Sequence, residues 1–185
     1  METPDPKSLQ RELLALRCKR GERAAWEALV AEFERPLFYY LRRMLPGEDA
    51  AWVVLQESWL RVFSNLTTLE DPRRLAPWLY GVARRALAQH VALNARERSL
   101  SEEFDEALQT PIPDEPHDPE RVHVALAELP VVQREVLVLY FLDDLPLLAI
   151  AEVLNVPEGT VKSRLHHARR ALAQVISRME ARHES

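Results

Sequence analysis

Apolar residues recur at three- and four-residue spacing along most of the chain, and this period predicts helices almost throughout. After a lead-in expected to fray, Leu13, Leu14 and Leu16, then Trp26, Leu29, Val30 and Phe33, give two short amphipathic helices broken near Gly21. Pro36 restarts the pattern: Leu37, Phe38, Tyr40, Leu41 and Met44 predict a further helix that stops at Pro46-Gly47. From Glu48 to Asn65 the apolar stripe is Trp52, Leu55, Trp59, Val62 and the following Leu66. A polar loop, Thr67 to Ala76, precedes a helix whose core side is Leu79, Val82, Ala83, Ala86 and His90. Residues 94 to 120 lose the period and gain Pro111, Pro113, Pro116 and Pro119. Helical spacing resumes at Val122, and Val132, Val136, Leu139 and Tyr140 point the run VVQREVLVLYFL toward a core. The pattern predicts an all-α chain of two small helical domains, 9–94 and 121–178, joined by a flexible acidic linker over 95–120, with no further domain after it.

The stretch from Leu145 to Arg170 predicts two helices meeting at a tight turn. Ile150, Ala151 and Leu154 line one face of the first, and Asn155, which tolerates left-handed backbone, stands where it must stop. The second opens around Pro157, with Glu158 set against the positive end of the helix dipole. Val161, Leu165, Ala168 and Leu172 form its core stripe, so Thr160, Ser163, Arg164, His167 and Arg170 fall on the opposite side with Lys162 and Arg169 on the flanks. An isolated cationic face is usually only solvated. Behind this turn it matches a helix-turn-helix whose second helix enters the major groove of DNA. His166 and His167 diverge by about 100° on a helix and have no Cys or carboxylate at ligand spacing, so neither a metal nor a cofactor is expected.

Two other surfaces carry possible chemistry. Gln56, Glu57 and Arg61 form a polar strip flanked by Val53 and Leu60, which reads either as ordinary surface scatter or as a helix that another protein covers. Arg73, Arg74, Arg84 and Arg85 gather around the polar loop with Trp78 and Tyr80 nearby, a combination that suits single-stranded nucleic acid, where bases stack on aromatic rings. The alternative is that Trp78 and Tyr80 belong to the core.

Charge sharpens this picture. The 185-residue chain has a formal net charge of −5, but residues 97 to 120 hold nine acids and one arginine, a local −8 that leaves +3 on the remainder. From Pro157 to Arg178 there are five Lys or Arg against one Glu, the local footprint of a nucleic-acid face that the whole-chain balance conceals. Only four glycines against 47% apolar residues agree with a helical protein, and the single Cys18 rules out an internal disulfide framework. Neither a signal peptide nor a long apolar segment is evident, so a soluble cytoplasmic protein without membrane insertion is expected.

The run LPVVQREVLVLYFL…IAEVLNVPEGTVKSRLHHARRAL resembles region 4 of sigma-70-family proteins, and LQESWLRVFSNL…RRLAPWLYGVARRAL resembles region 2. In that order, and over roughly residues 9 to 176, the chain is similar to the extracytoplasmic-function (ECF) sigma factors. The resemblance implies a non-enzymatic initiation factor that binds core RNA polymerase, directs it to promoters and assists DNA opening. It implies that Val53, Gln56, Glu57 and Leu60 dock on polymerase. Arg73, Arg74, Trp78, Arg84 and Arg85 would hold the melted upstream strand, and Thr160, Lys162, Ser163, Arg164, His167, Arg169 and Arg170 would meet the duplex −35 element. The linker would thread toward the polymerase cleft, and an anti-sigma factor is a further possible partner. The chain departs from the family pattern at Val53, where an acid is usual, at Gly81, Arg85 and Gln89, and at Pro146 to Ala149, which leaves Leu148 either packed or exposed as a partner surface. A stand-alone helix-turn-helix regulator that never engages polymerase is the competing reading.

Overall fold

The structure, a computed structural model, describes residues 6–100, 118–142 and 145–183. Among these residues it is helical without strands. The helices are α1 (Pro6–Lys19), α2 (Arg23–Met44), α3 (Glu48–Asn65), α4 (Leu75–Leu100), α5 (Asp118–Ala127), α6 (Val131–Leu142), α7 (Leu147–Leu154) and α8 (Glu158–His183). Two single 3-10 turns, Leu66–Thr68 and Pro72–Arg74, replace most of the expected polar loop. The expected flexibility of the acidic linker concerns residues 101–117 above all, which lie outside the described residues.

Helix α2 differs from the sequence expectation, because it runs through Pro36 without a restart. Proline inside a helix removes one i→i−4 bond and crowds the carbonyl four residues back, at a cost of about 3 kcal/mol. The stripe Ala25, Leu29, Phe33, Leu37, Tyr40 and Leu41 is buried along the full length of α2. Each large apolar side chain there contributes about 1.5–3 kcal/mol, so a continuous helix outweighs the proline. Helix α4 also exceeds its expected end: where the periodicity fades near Asn94, the backbone stays helical to Leu100.

Helices α1 to α4 pack as one unit and α5 to α8 as another. These halves are not separate beads. Helix α2 lies against α6, and α4 lies against α7. Buried apolar side chains run from Leu14 in α1 to Val175 in α8. The contact is partly polar. The Tyr40 hydroxyl donates to Glu135 Oε1 at 2.9 Å, and Arg84 Nε donates to the same oxygen at 2.9 Å. Arg134 of α6 donates to the carbonyls of Ala127 at 2.7 Å and Leu129 at 3.1 Å, and reaches Arg43 O of α2 at 3.4 Å.

Several side chains differ from their expected burial. Trp52 is 40% exposed, because the inner face of α3 is filled by Ala51, Val54, Leu55, Ser58, Trp59 and Val62 while Trp52 stacks outside on Phe38 at 4.2 Å. Val132 is exposed on α6 and Tyr140 only half-buried; the positions facing inward are Glu135, Val136, Leu137, Val138 and Leu139. Nearly the whole circumference of that stretch is covered, since α2 packs on one side and α8 on the other. His90, expected in the core of α4, is half-buried and within 3.0 Å of Asn94 Nδ2 through its Nε2.

Candidate nucleic-acid interface

The helix-turn-helix forms as its sequence demands. Asn155 adopts φ 54°, ψ 51°, the left-handed conformation that ends α7. Its N–H donates to Glu152 O at 3.3 Å and that of Val156 to Ala151 O at 3.1 Å, the paired bonds of a Schellman turn. Pro157 sits one position earlier than expected, as the cap before α8: its carbonyl accepts from Thr160 at 2.9 Å and Val161 at 3.2 Å. A proline fits there because the N–H it lacks would have had no helical partner.

On α8, Val161, Leu165 and Ala168 are buried and Leu172 half-buried against α6 and α7. Lys162, Ser163, His167, Arg169 and Arg170 are exposed, with Thr160 and Arg164 half-buried at the base of the same face. Lys162 bridges to Glu158 at 2.7 Å, an exposed i,i+4 pair of little energetic weight that an incoming phosphate can displace. The Arg169 guanidinium turns back over the rings of Tyr140 at 4.9 Å and Phe141 at 5.8 Å, so it is held beside α6 at the flank of the face.

The second cluster surrounds the 3-10 turn Pro72–Arg74 and the start of α4. Asp71 caps this turn by accepting from the Arg73 N–H at 3.0 Å and from its guanidinium at 2.9 Å. That bonding pulls the Asp71 carboxyl below its usual range and raises the arginine's pKa. Tyr80 is fully buried, with its ring edge-on to Tyr40 at 5.6 Å, so it belongs to the core. Trp78 is half-buried and lines two cavities. One, of about 300 Å³, is framed by Arg61, Asn65, Thr68, Trp78, Val82 and Arg85. The other, of about 540 Å³, holds Arg74, Trp78, Arg84 and Arg85 on one side and Glu152, Val153 and Asn155 of the helix-turn-helix on the other. Arg74 pairs with Glu152 at 2.9 Å, and Arg84 with Glu135. The hydrogen bond to Glu135 raises the Arg84 pKa above its ordinary value. Burial, then the Glu135 charge, pushes the Tyr40 hydroxyl well above the usual tyrosine range.

Sequence reasoning missed Glu135 and Glu152. The available signal was a single acid embedded in each apolar run, VVQREVLVLYFL and LLAIAEVL, where a charge needs a partner. The third surface lies on α3. Val53 is 54% and Leu60 67% exposed, Gln56 lies outward between them, and Glu57 pairs with Arg61, which also donates to Gln89 Oε1 at 2.5 Å. Leu148, at 61% exposed, projects from the first turn of α7. No helix of the described residues is long and apolar enough to cross a membrane.

Comparison with known proteins agrees with this architecture. Residues 29–97 match the Sigma-70 region 2 family and residues 120–172 the Sigma-70, region 4 family. The chain is 33% identical over 158 residues to the ECF RNA polymerase sigma factor SigL of Mycobacterium tuberculosis (strain ATCC 25618 / H37Rv), covering 82% of this chain and 89% of that one. It is 28% identical over 168 residues to the ECF RNA polymerase sigma factor SigW of Bacillus subtilis (strain 168), covering 83% and 90%. Its fold is similar to that of the sigma factor RpoE from Bartonella quintana, solved with the anti-sigma factor NepR, at a TM-score of 0.70, 20% identity and coverage of 82% and 96%. The fold is also similar to that of CnrH, solved with the cytosolic domain of CnrY, at a TM-score of 0.69, 21% identity and coverage of 90% and 97%. The chain therefore belongs to the ECF sigma factors of the sigma-70 family. It is a transcription initiation factor that binds core RNA polymerase and promoter DNA, and the stand-alone regulator is not favoured.

Proposed function

We propose that the work of initiation divides among three surfaces. The outward strip of α3, with Val53, Gln56, Glu57 and Leu60, docks on core polymerase. Arg73, Arg74, Trp78, Arg84 and Arg85 hold the melted upstream strand, with Trp78 as the stacking ring. The outer face of α8 reads the duplex −35 element, Arg164 contacting a base edge and Lys162, Arg169 and Arg170 the phosphates, with Thr160, Ser163 and His167 beside them. The chain carries out no catalytic step, which falls to the polymerase, and it acts in the cytoplasm. The domains are taken as 9–94 and 121–178, joined through 95–120. The observation that carries this reading is the geometry of α8: a buried Val161, Leu165 and Ala168 stripe holds a hydrogen-bonding, cationic face outward immediately after a left-handed Asn155 turn.

Leu148 and the similar fold of the sigma factor RpoE, solved with the anti-sigma factor NepR, support an anti-sigma factor as a further partner. The test is binding to sigma-free core polymerase followed by transcription on a promoter template. Glu57→Lys weakens core binding while leaving thermal stability near wild type, because the pair with Arg61 is a surface one worth about 0–1 kcal/mol. Val53→Asp leaves stability unchanged and strengthens docking. Equal core binding by wild type and Glu57→Lys would remove α3 from the interface.

A further inference from the structure

A single guanidinium stands between the polymerase-docking strip and the strand-reading cluster. Arg61 lies one turn beyond Glu57 on α3 and pairs with it, while its Nη2 also donates to Gln89 Oε1 of α4 at 2.5 Å. The spacing explains the meeting. Glu57, Arg61 and Asn65 follow one row of α3 at four-residue intervals, and Trp78, Val82, Arg85 and Gln89 follow one row of α4. The cavity of about 300 Å³ opens between these rows, with Arg61 and Asn65 on one side and Trp78 and Arg85 on the other. Its lining carries two guanidiniums and no carboxylate, and none of α5 to α8 contributes to it among the described residues. Asn65 and Thr68 are tied to backbone carbonyls at 2.9 and 2.8 Å, so the rim is fixed and the arginines are its adjustable part. The side chains of Arg61 and Glu57 retain 29% and 37% exposure, so the pair can be exchanged without stranding a buried charge.

Resting on the docking and strand-reading assignments above, we propose that Arg61 is a positioning residue shared by both, coupling the seating of α3 on polymerase to the grip of α4 on the melted strand. While Glu57 faces solvent, its carboxylate draws the guanidinium toward the docking strip. A cationic group of polymerase that pairs with Glu57 takes this partner away and repels Arg61 from it. The guanidinium then turns into the cavity, where a strand phosphate replaces the carboxylate through the same forked bonds. Gln89 is uncharged and supports Arg61 from α4 without competing for its charge. The exchange runs in both directions. A phosphate that attracts Arg61 leaves Glu57 unpaired for polymerase, so each ligand favours the other by the same factor. Arg85, which makes no ion pair among the described residues, supplies the constant charge of the cavity, and Arg61 the charge that depends on docking.

The experiment is a double-mutant cycle on the full chain without polymerase, in which Glu57→Gln removes the competing carboxylate as docking would. Anisotropy reads the affinity for a fluorescein-labelled single-stranded DNA 20-mer of random sequence at several salt concentrations. Glu57→Gln binds about fivefold tighter, at the lower end of coupling between sites, and its salt slope rises by about 0.7, one further phosphate contact. Once Arg61→Ala is in place, Glu57→Gln brings no gain. Arg61→Lys restores part of the response, because lysine carries the charge without the fork. The control is Glu27→Gln, which frees Arg23 from an exposed i,i+4 pair on α2 in the same way and gains less than about twofold. Circular dichroism confirms that each variant is folded. No gain from Glu57→Gln, an equal gain in the control, or a gain that persists with Arg61→Ala overturns the coupling. Arg85→Ala separates this result from the assignments beneath it. If Arg85→Ala weakens strand binding while the cycle shows no coupling, the role of Arg61 fails and the strand-reading assignment stands; if Arg85→Ala changes nothing either, both fail. If the cycle shows the coupling but Glu57→Lys binds core polymerase like wild type, the docking assignment falls and the link to polymerase falls with it.

Discussion

The outer face of α8 and the cluster at the start of α4 are built from the same materials, arginines with a few hydrogen-bonding or aromatic neighbours, yet they stand in opposite states. On α8 the buried stripe faces inward and Lys162 and Arg170 extend into solvent, Lys162 tied only by its local pair with Glu158, while Arg169 leans back over the rings of Tyr140 and Phe141. At α4 two arginines are already engaged by carboxylates from the other half of the chain, across a cavity shared by both. Residue chemistry therefore defines what a face can bind, and tertiary packing decides whether it is free to do so.

The largest expected effect lies on the open face. Arg164→Ala relaxes preference at a single upstream base pair by about 1–3 kcal/mol, the value of a bidentate contact to guanine. Lys162→Ala instead weakens all sequences alike and lowers the salt slope by about one unit. A panel of single-base promoter substitutions measured at several salt concentrations distinguishes them; uniform weakening by Arg164→Ala would move it among the phosphate contacts. Next comes a contrast inside the cluster at the start of α4. Arg85 makes no ion pair among the described residues, its Nη1 lying beside Gly81, whereas Arg74 is held by Glu152. In the free protein Arg85→Ala weakens single-strand binding roughly fivefold and lowers the salt slope by about 0.7, while Arg74→Ala changes it little. In holoenzyme both substitutions impair promoter opening. Equal losses in the free protein would erase the difference between an engaged and an available arginine.

The smallest effect is a pH dependence at the contact between halves. Tyr40 is held neutral in the fold, so above pH 10 the unfolded chain releases this proton while the folded one keeps it. Stability is accordingly complete below pH 10 and declines as pH rises beyond it, by at most about 1.4 kcal/mol per pH unit from this group. Tyr40→Phe flattens that part of the curve. Urea denaturation of both proteins between pH 8 and pH 11 measures the difference, and identical slopes would disconnect Tyr40 from the buried bond to Glu135.

Helix spacing alone makes much of this fold legible. The stripes of α2, α4 and α8 and the left-handed stop at Asn155 follow from period and turn chemistry, because one buried face and one special backbone angle are local properties. The continuity of α2 through Pro36 is not legible in the same way, since the packing that outweighs the proline comes from α3, α4 and α6. Trp52 misleads for a related reason: periodicity marks it as apolar, but a smaller Ala51 takes the interior position and the indole stacks outside on Phe38. The pairing of Arg84 with Glu135 spans 51 residues, and that of Arg74 with Glu152 spans 78. No local rule reaches so far.

Cys18 has a practical consequence for following how firmly α1 is seated. Its thiol is buried near the end of α1, 2% exposed, and burial pushes its pKa up to about 11. At neutral pH only about one molecule in ten thousand carries the reactive thiolate, and that one is shielded by the surrounding helices. Alkylating reagents therefore reach the sulfur only when α1 leaves its bed. Labelling rate then becomes a clock for that excursion, read from one natural cysteine without any engineered probe.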